Sequence, residues 1–192
     1  MELYALSKHA SEGVVARWAE LFGMPALSVR FSMVYGRLDR DTGARNRHNP
    51  PYWVAQQAAA GAEVVVSGDL DEIGGDYIAV EDVAEAMLLL LGSEQTPRQP
   101  LYHIAAGRAT THRELLEAAG ATRVATAAAS DVGVNDGGAV HLAALPELDH
   151  RRAFSYPIAP LQEEFGWQPA PLAEAMGSYV RALKAAGPKP AL

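Results

Sequence analysis

Apolar residues open the chain with a helical period. Leu3, Leu6, Ala10, Val14 and Leu21 fall on one stripe, and Val15, Trp18 and Phe22 widen it. The pattern predicts a helix over 3–23 whose apolar surface is broader than one neighbour covers. Gly23 stands where a glycine commonly ends a helix, and Pro25 blocks its return. Leu27 to Tyr35 is apolar on both faces, which predicts a buried strand closed by Gly36.

The later segments repeat the alternation. Asn49-Pro50 predicts the cap and first turn of a helix running to Gly61. Val64–Val66 and Asp76–Val80 read as short extended pieces, with Ser67-Gly68-Asp69 as a turn. Asp82 with Glu85 has the spacing of a capping box before a helix ending at Gly92, and Thr111 with Glu114 repeats it before one ending at Gly120. Leu101–Ile104 reads as a buried strand. Residues 121–145 are Ala-rich, with two weak strands about the turn Asn135-Asp136-Gly137-Gly138. Pro160 opens a short helix closed by Gly166, and Leu172, Met176, Val180 and Leu183 form the stripe of a last one. Helices alternating with strands place the chain in the α/β class. Only 27–35 and 101–104 read as interior strands of a parallel sheet, too few for a sheet covered on both faces.

A length of 192 residues suits one domain with a small appendage. A net charge of −7 argues against nonspecific nucleic-acid binding and against an anionic membrane surface. The chain has no cysteine, hence no thiolate chemistry. Its longest apolar run, Ala86 to Leu91, is too short to span a bilayer, and no basic-then-apolar leader pattern occurs. A soluble, cytoplasmic protein is expected. The six histidines form neither an i, i+4 pair nor His-Glu-x-x-His, so no metal site is expected.

Tyr4 and Lys8 stand four residues apart on the first helix and so share a face. A cation beside a phenol favours tyrosinate, which makes the pair a proton-transfer device. Lys8, Lys184 and Lys189 are the lysines of a chain whose other basic residues are arginines, and lysine is the one with an adjustable pKa. The same spacing equally suits an amphipathic helix with a surface lysine and a packed tyrosine.

Four motifs in order resemble the extended short-chain dehydrogenases/reductases of the NAD-dependent epimerase/dehydratase type. Tyr4-Ala-Leu-Ser-Lys8 resembles the catalytic Tyr-x-x-x-Lys. Arg30-Phe31-Ser32-Met33-Val34-Tyr35-Gly36 resembles the strand whose end passes the nicotinamide. Gly68-Asp69, followed by Asp76-Tyr77-Ile78-Ala79-Val80-Glu81-Asp82-Val83-Ala84-Glu85-Ala86, resembles the Gly-Asp-Gly and Arg-Asp-Phe-Val-x-Val-x-Asp-Val-Ala block. Phe165-Gly166-Trp167-Gln168-Pro169 resembles the family's Leu-Gly-Trp-x-Pro.

The resemblance implies the C-terminal part of a Rossmann-like, doubly wound parallel sheet plus a small substrate-binding α/β subdomain. Residues 1–49 would supply the catalytic helix and following strand. Residues 50–192 would be mostly the substrate-binding subdomain, with 82–104 returning to the sheet. It implies hydride transfer with NAD or NADP on a small-molecule substrate, a sugar or nucleotide-sugar derivative. Tyr4 is the implied acid/base, and Lys8 the group that holds the nicotinamide ribose and lowers the phenol's pKa. Ser32, Met33 and Tyr35 are implied at the cofactor, and a homo-oligomer is implied through helix 3–23.

Departures from the family pattern matter as well. No Gly-x-x-Gly-x-x-Gly occurs, so this chain by itself is expected to bind a dinucleotide weakly, the glycine-rich half lying upstream in the family. Met33 stands where the family has Asn, and Gly75 where it often has an Arg that meets a diphosphate. Arg37, Arg45 and Arg47, with Arg40, are the candidate substrate contacts in their place; a solvated charged loop fits them equally. The alternative function is a non-catalytic remnant that presents helix 3–23 as an interaction or oligomerisation surface.

Overall fold

The computed structural model describes residues 3–39, 49–67, 70–71, 73–127 and 155–187. The first helix, α1, spans Leu3–Phe22, and Gly23 ends it at φ 60°, where a side chain would be strained. The segment expected as one buried strand is divided at Ser32 into β1 (Ser28–Phe31) and β2 (Met33–Tyr35). The following helix α2 (Pro50–Ala60) closes on Gly61, and β3 (Val64–Ser67), β4 (Ile73–Gly75) and β5 (Tyr77–Ala79) come next. The remaining elements are α3 (Val80–Gly92), β6 (Leu101–Ile104), β7 (Thr110–Thr111), α4 (His112–Ala119), β8 (Val124–Ala127), α5 (Ala159–Phe165) and α6 (Leu172–Ala186).

Strands pair two by two among the described residues. β1–β6, β2–β5 and β3–β8 are parallel; β4–β7 is antiparallel. The protein is therefore α/β with parallel pairing, as the alternation of patterns predicts. The strand over 27–35 changes partner where it divides. Ser32 still donates its N–H to Ile104, and Met33 donates to Asp76. Its burial is also less than expected, since Arg30 and Phe31 on β1 are exposed. Among the described residues β1 has one strand neighbour, β6. Two strands fall where the sequence showed no strand pattern, β4 and β7, while β8 lies in the Ala-rich stretch ahead of 135–138 where a weak strand was expected.

Two apolar cores flank the β2–β5 ladder. Tyr35, Val54, Val66, Tyr77, Leu115 and Met176 belong to one, which α2, α4 and α6 enclose. Ile78, Ala86, Leu90, Tyr102, Ile104 and Trp167 belong to the other, beside α3 and α5. Side chains alternate across a strand, and β5 shows it: Tyr77 and Ala79 enter the first core, Ile78 the second.

Local capping signals succeed where no tertiary partner competes. Thr111 accepts from Glu114 N, and Glu114 accepts from Thr111 N, the full capping box. Asn49 occupies the cap position of α2, but its amide donates to Val34 O at 2.9 Å, tying the helix start to β2. The Asp82–Glu85 box does not form. α3 begins at Val80 with Ala79 at its cap position, three residues early, and Asp82 lies in its first turn. Its Oδ1 accepts from Ala170 N at 3.2 Å, a bond that anchors the stretch before α6.

Candidate active site

Tyr4 and Lys8 lie on the first turns of α1, and the helical period does bring them together. Lys8 Nζ sits 5.4 Å from the centroid of the Tyr4 ring, and Tyr4 is 71% exposed. Ser7 and Ser11 spend their hydroxyls on the helix itself, donating to Tyr4 O at 2.7 Å and Ser7 O at 2.8 Å. The pair is thus exposed on the helix surface. The hydrogen-bonded connection from α1 to the strand that follows runs through Glu12 and Arg30: Arg30 Nε and Nη2 donate to the two Glu12 oxygens at 2.7 and 2.6 Å.

Ser32, Met33 and Tyr35 mark the end of that strand. The Ser32 hydroxyl is buried and has no hydrogen-bond partner among the described residues. Tyr35 is buried in the first core, its ring 6.0 Å from that of Tyr179. Burial above all, then the charges of Asp82 and Glu81, pushes its phenol pKa up, so it stays neutral. Tyr35 thereby lines a cavity of about 150 Å³ with Tyr77, Asp82, Arg108 and Thr110. Arg37 is exposed, its Nε 4.0 Å from Glu81, at the mouth of a second cavity of about 250 Å³ that Glu174 and Ser178 also line. Arg40, Arg45, Arg47, Gly68 and Asp69 lie outside the described residues, as does the turn at 135–138. Among the described residues no group of acidic, histidine or cysteine side chains could hold a metal, and no helix is long and apolar enough to cross a membrane.

Met33 and Gly75 prove to be neighbours. Gly75 has φ 146°, and a Cβ there would collide with Met33 Cε. The thioether fills the space that any side chain at 75 would need. Gly75→Ala should therefore destabilise the chain by about 1–3 kcal/mol, from backbone strain and displacement of Met33. In a Met33→Ala background the added loss should be smaller; chemical denaturation of the four variants measures the coupling.

Sequence reasoning missed the residue that organises the site's underside. Asp76 is fully buried and accepts from Ala106 N at 2.8 Å, Gly107 N at 3.1 Å and Tyr156 N at 3.2 Å. An aspartate set between Gly75 and the apolar run Tyr77–Val80 was the available signal, since buried carboxylates need partners.

Asp82 is the second buried carboxylate. Burial raises its pKa, the Ala170 bond opposes that, and the charges of Glu85, Glu81 and Glu174 raise it further. A carboxylate with a raised folded-state pKa favours the fold most below its unfolded pKa, and that contribution is lost as pH rises through the folded value. Asn at this position keeps the acceptor and drops the charge. Asp82→Asn should raise the thermal midpoint by about 1–3 °C near neutral pH and lose that advantage near about pH 4, where the unfolded carboxylate is half protonated.

Parallel strand pairs flanked by helices, with the Tyr–Lys helix ahead of the strand at the junction, define a Rossmann-like α/β protein. The chain matches the model of the NAD dependent epimerase/dehydratase family over residues 1–105, and it belongs to that family. Its fold is similar to that of RMD from Pseudomonas aeruginosa complexed with NADPH, at 22% identity and TM-score 0.66, covering 95% of this chain and 55% of that one. UDP-glucose 4-epimerase from Thermotoga maritima, solved with UDP-glucose, matches at 21% identity and TM-score 0.67, covering 95% and 53%. The Thermus thermophilus UDP-glucose 4-epimerase complex with NAD matches at 24% and 0.61, covering 93% and 53%. The chain thus spans about half the length of the solved structures it matches.

Proposed function

We infer that this chain carries the acid/base helix and the substrate side of an NAD(P)-dependent epimerase, dehydratase or reductase acting on a sugar or nucleotide-sugar hydroxyl or carbonyl. Residues 1–49, with 82–104, form the Rossmann-like portion in this reading, and the rest of 50–192 the substrate-binding portion. The observation that carries it is the Tyr4–Lys8 pair, exposed on one helix face within the span matched by the family.

The chain's own groups fit one end of a dinucleotide. The Lys8 ammonium and the unpartnered Ser32 hydroxyl suit the nicotinamide ribose. The pyrophosphate end needs backbone N–H groups of a glycine-rich turn, which this chain does not contain. When bound, the nicotinamide supplies hydride acceptance and donation. Tyr4 takes the proton of a substrate hydroxyl as its carbon is oxidised and returns one when a carbonyl is reduced. Lys8 attracts the negative charge Tyr4 carries before it takes that proton and after it gives one back. Arg37, with Arg45 and Arg47, would meet an anionic part of the substrate. The proteins of similar fold that were solved with UDP-glucose, NAD or NADPH support this substrate and cofactor class.

A second reading rests on α1, which buries no residue and exposes Leu3, Leu6, Trp18, Leu21 and Phe22. On it the chain is a non-catalytic module that associates through this helix into a homo-oligomer. The test is loss of hydride transfer on Tyr4→Phe in the chain joined to a dinucleotide-binding half. Absence of hydride transfer in the joined protein with Tyr4 in place favours the module.

A further inference from the structure

We propose that Glu12 and Arg30 form a positioning pair, which fixes the rotation of α1 and so aims Tyr4 and Lys8; this rests on the acid/base reading of those two residues.

α1 is inverted relative to an ordinary surface helix. Its leucines and aromatics are exposed, while Glu12 and Ala19 are the positions tucked partly away from solvent. A carboxylate takes the inner place because it has a matched partner there. Arg30 offers Nε and Nη2 as a planar fork, and each Glu12 oxygen receives one bond. Two parallel bonds fix direction as well as distance, which a lysine could not do. The hydrogen bonds from Arg30 first, and then its charge, hold the Glu12 carboxyl below its usual range against the opposing effect of desolvation, so it is an anion at neutral pH.

The fork's other end is rigid. Arg30 lies on β1 directly across from His103 on β6. His103 stacks on Tyr156, ring centroids 5.2 Å apart, and Tyr156 N is one of the donors to Asp76. Burial first, then the Arg30 charge, pushes His103 down, so it stays neutral and does not compete with Arg30 for Glu12. His9 Nδ1, 3.5 Å from Glu12, is the remaining titratable neighbour on α1 itself.

Tyr4, Lys8 and Glu12 follow one another at intervals of four and share a helix face. The fork therefore sits about 12 Å along the axis from Tyr4 and about 6 Å from Lys8. A side-chain tip about 6 Å from the axis moves about 1 Å for every 10° of helix rotation. Misplacements of about 1 Å cost about 100-fold in rate where geometry governs catalysis. With no apolar side chain of α1 buried, the fork is the strongest restraint on that rotation among the described residues.

The test uses the chain itself, which has no cysteine to interfere with labelling. Spin labels at Ala16→Cys on α1 and Glu94→Cys beyond α3 report the distance distribution between helix and body. A narrow distribution is expected for the otherwise unsubstituted chain, a broad one for Glu12→Gln and for Arg30→Lys, and recovery of a narrow one in the exchanged pair Glu12→Arg with Arg30→Glu. The thermal midpoint of each should stay nearly unchanged, because an exposed pair adds little to stability. Equal widths in all variants, or failure of the exchange to recover the narrow distribution, overturn the proposal. In the chain joined to a dinucleotide-binding half, Glu12→Gln should lower kcat about 10-fold or more with little change in KM. If Tyr4→Phe leaves turnover intact while Glu12→Gln still broadens the distribution, the fork stands and the acid/base reading falls. If Tyr4→Phe abolishes turnover while Glu12→Gln leaves the distribution narrow, the reverse holds.

Discussion

Asp76→Ala should cost the chain a large share of its stability. The substitution leaves the N–H groups of Ala106, Gly107 and Tyr156, all half-buried, without the acceptor they share. Each stranded donor costs about 1–3 kcal/mol, so a total near 4 kcal/mol is expected against a native stability of about 5–15 kcal/mol. For a chain of this length that lowers the thermal midpoint by roughly 8–15 °C. Asp76→Asn keeps one acceptor oxygen and turns an amide toward the remaining donors, so it should lose about half as much. Calorimetry decides it: an alanine variant that melts within about 2 °C of the parent would show that the three bonds contribute nothing net.

Tyr4→Phe should remove at least 100-fold from kcat with little effect on KM, measured in the chain joined upstream of Met1 to a glycine-rich dinucleotide-binding half. The phenyl ring keeps the bulk and the Lys8 contact, and only the ionisable hydroxyl is lost. Uniform binding would move KM; a group used only as the proton moves lowers kcat. Lys8→Met is the companion variant, because it removes the charge from the same face while keeping the stem. It should reduce turnover and weaken dinucleotide retention together. Near-normal turnover by the Tyr4→Phe protein would remove Tyr4 from the acid/base role.

The sequence is legible where structure is local. The Thr111–Glu114 box, the glycines closing α1, α2 and α5, and the stripe of α6 depend on residues within a turn of one another. The shared face of Tyr4 and Lys8 is legible for the same reason. Distant pairing is not. Arg30 reaches Glu12 across eighteen positions, and Asp76 reaches Tyr156 across eighty. No periodicity announces either. Asp82 shows the conflict most clearly, since its spacing to Glu85 suits a cap while a backbone N–H eighty-eight residues away claims its oxygen. The division at Ser32 was hidden because the alternation of apolar residues at Val29, Phe31, Met33 and Tyr35 continues across it, while the change lies in which strand stands alongside. Met33 and Gly75 each read as a lone departure from the family pattern; the fold makes them one packed unit.

The β2–β5 ladder is a party wall. Tyr77 and Ala79 on one side and Ile78 on the other give the two cores a single partition only three residues long. A slip of one residue along that partition would exchange the occupants of both cores at once. Neither core can loosen without baring the back of the other, so the two halves are expected to share one fate on melting, as a single cooperative unit with two centres, and the amides of β5 are expected to be among the last to trade their hydrogens with solvent.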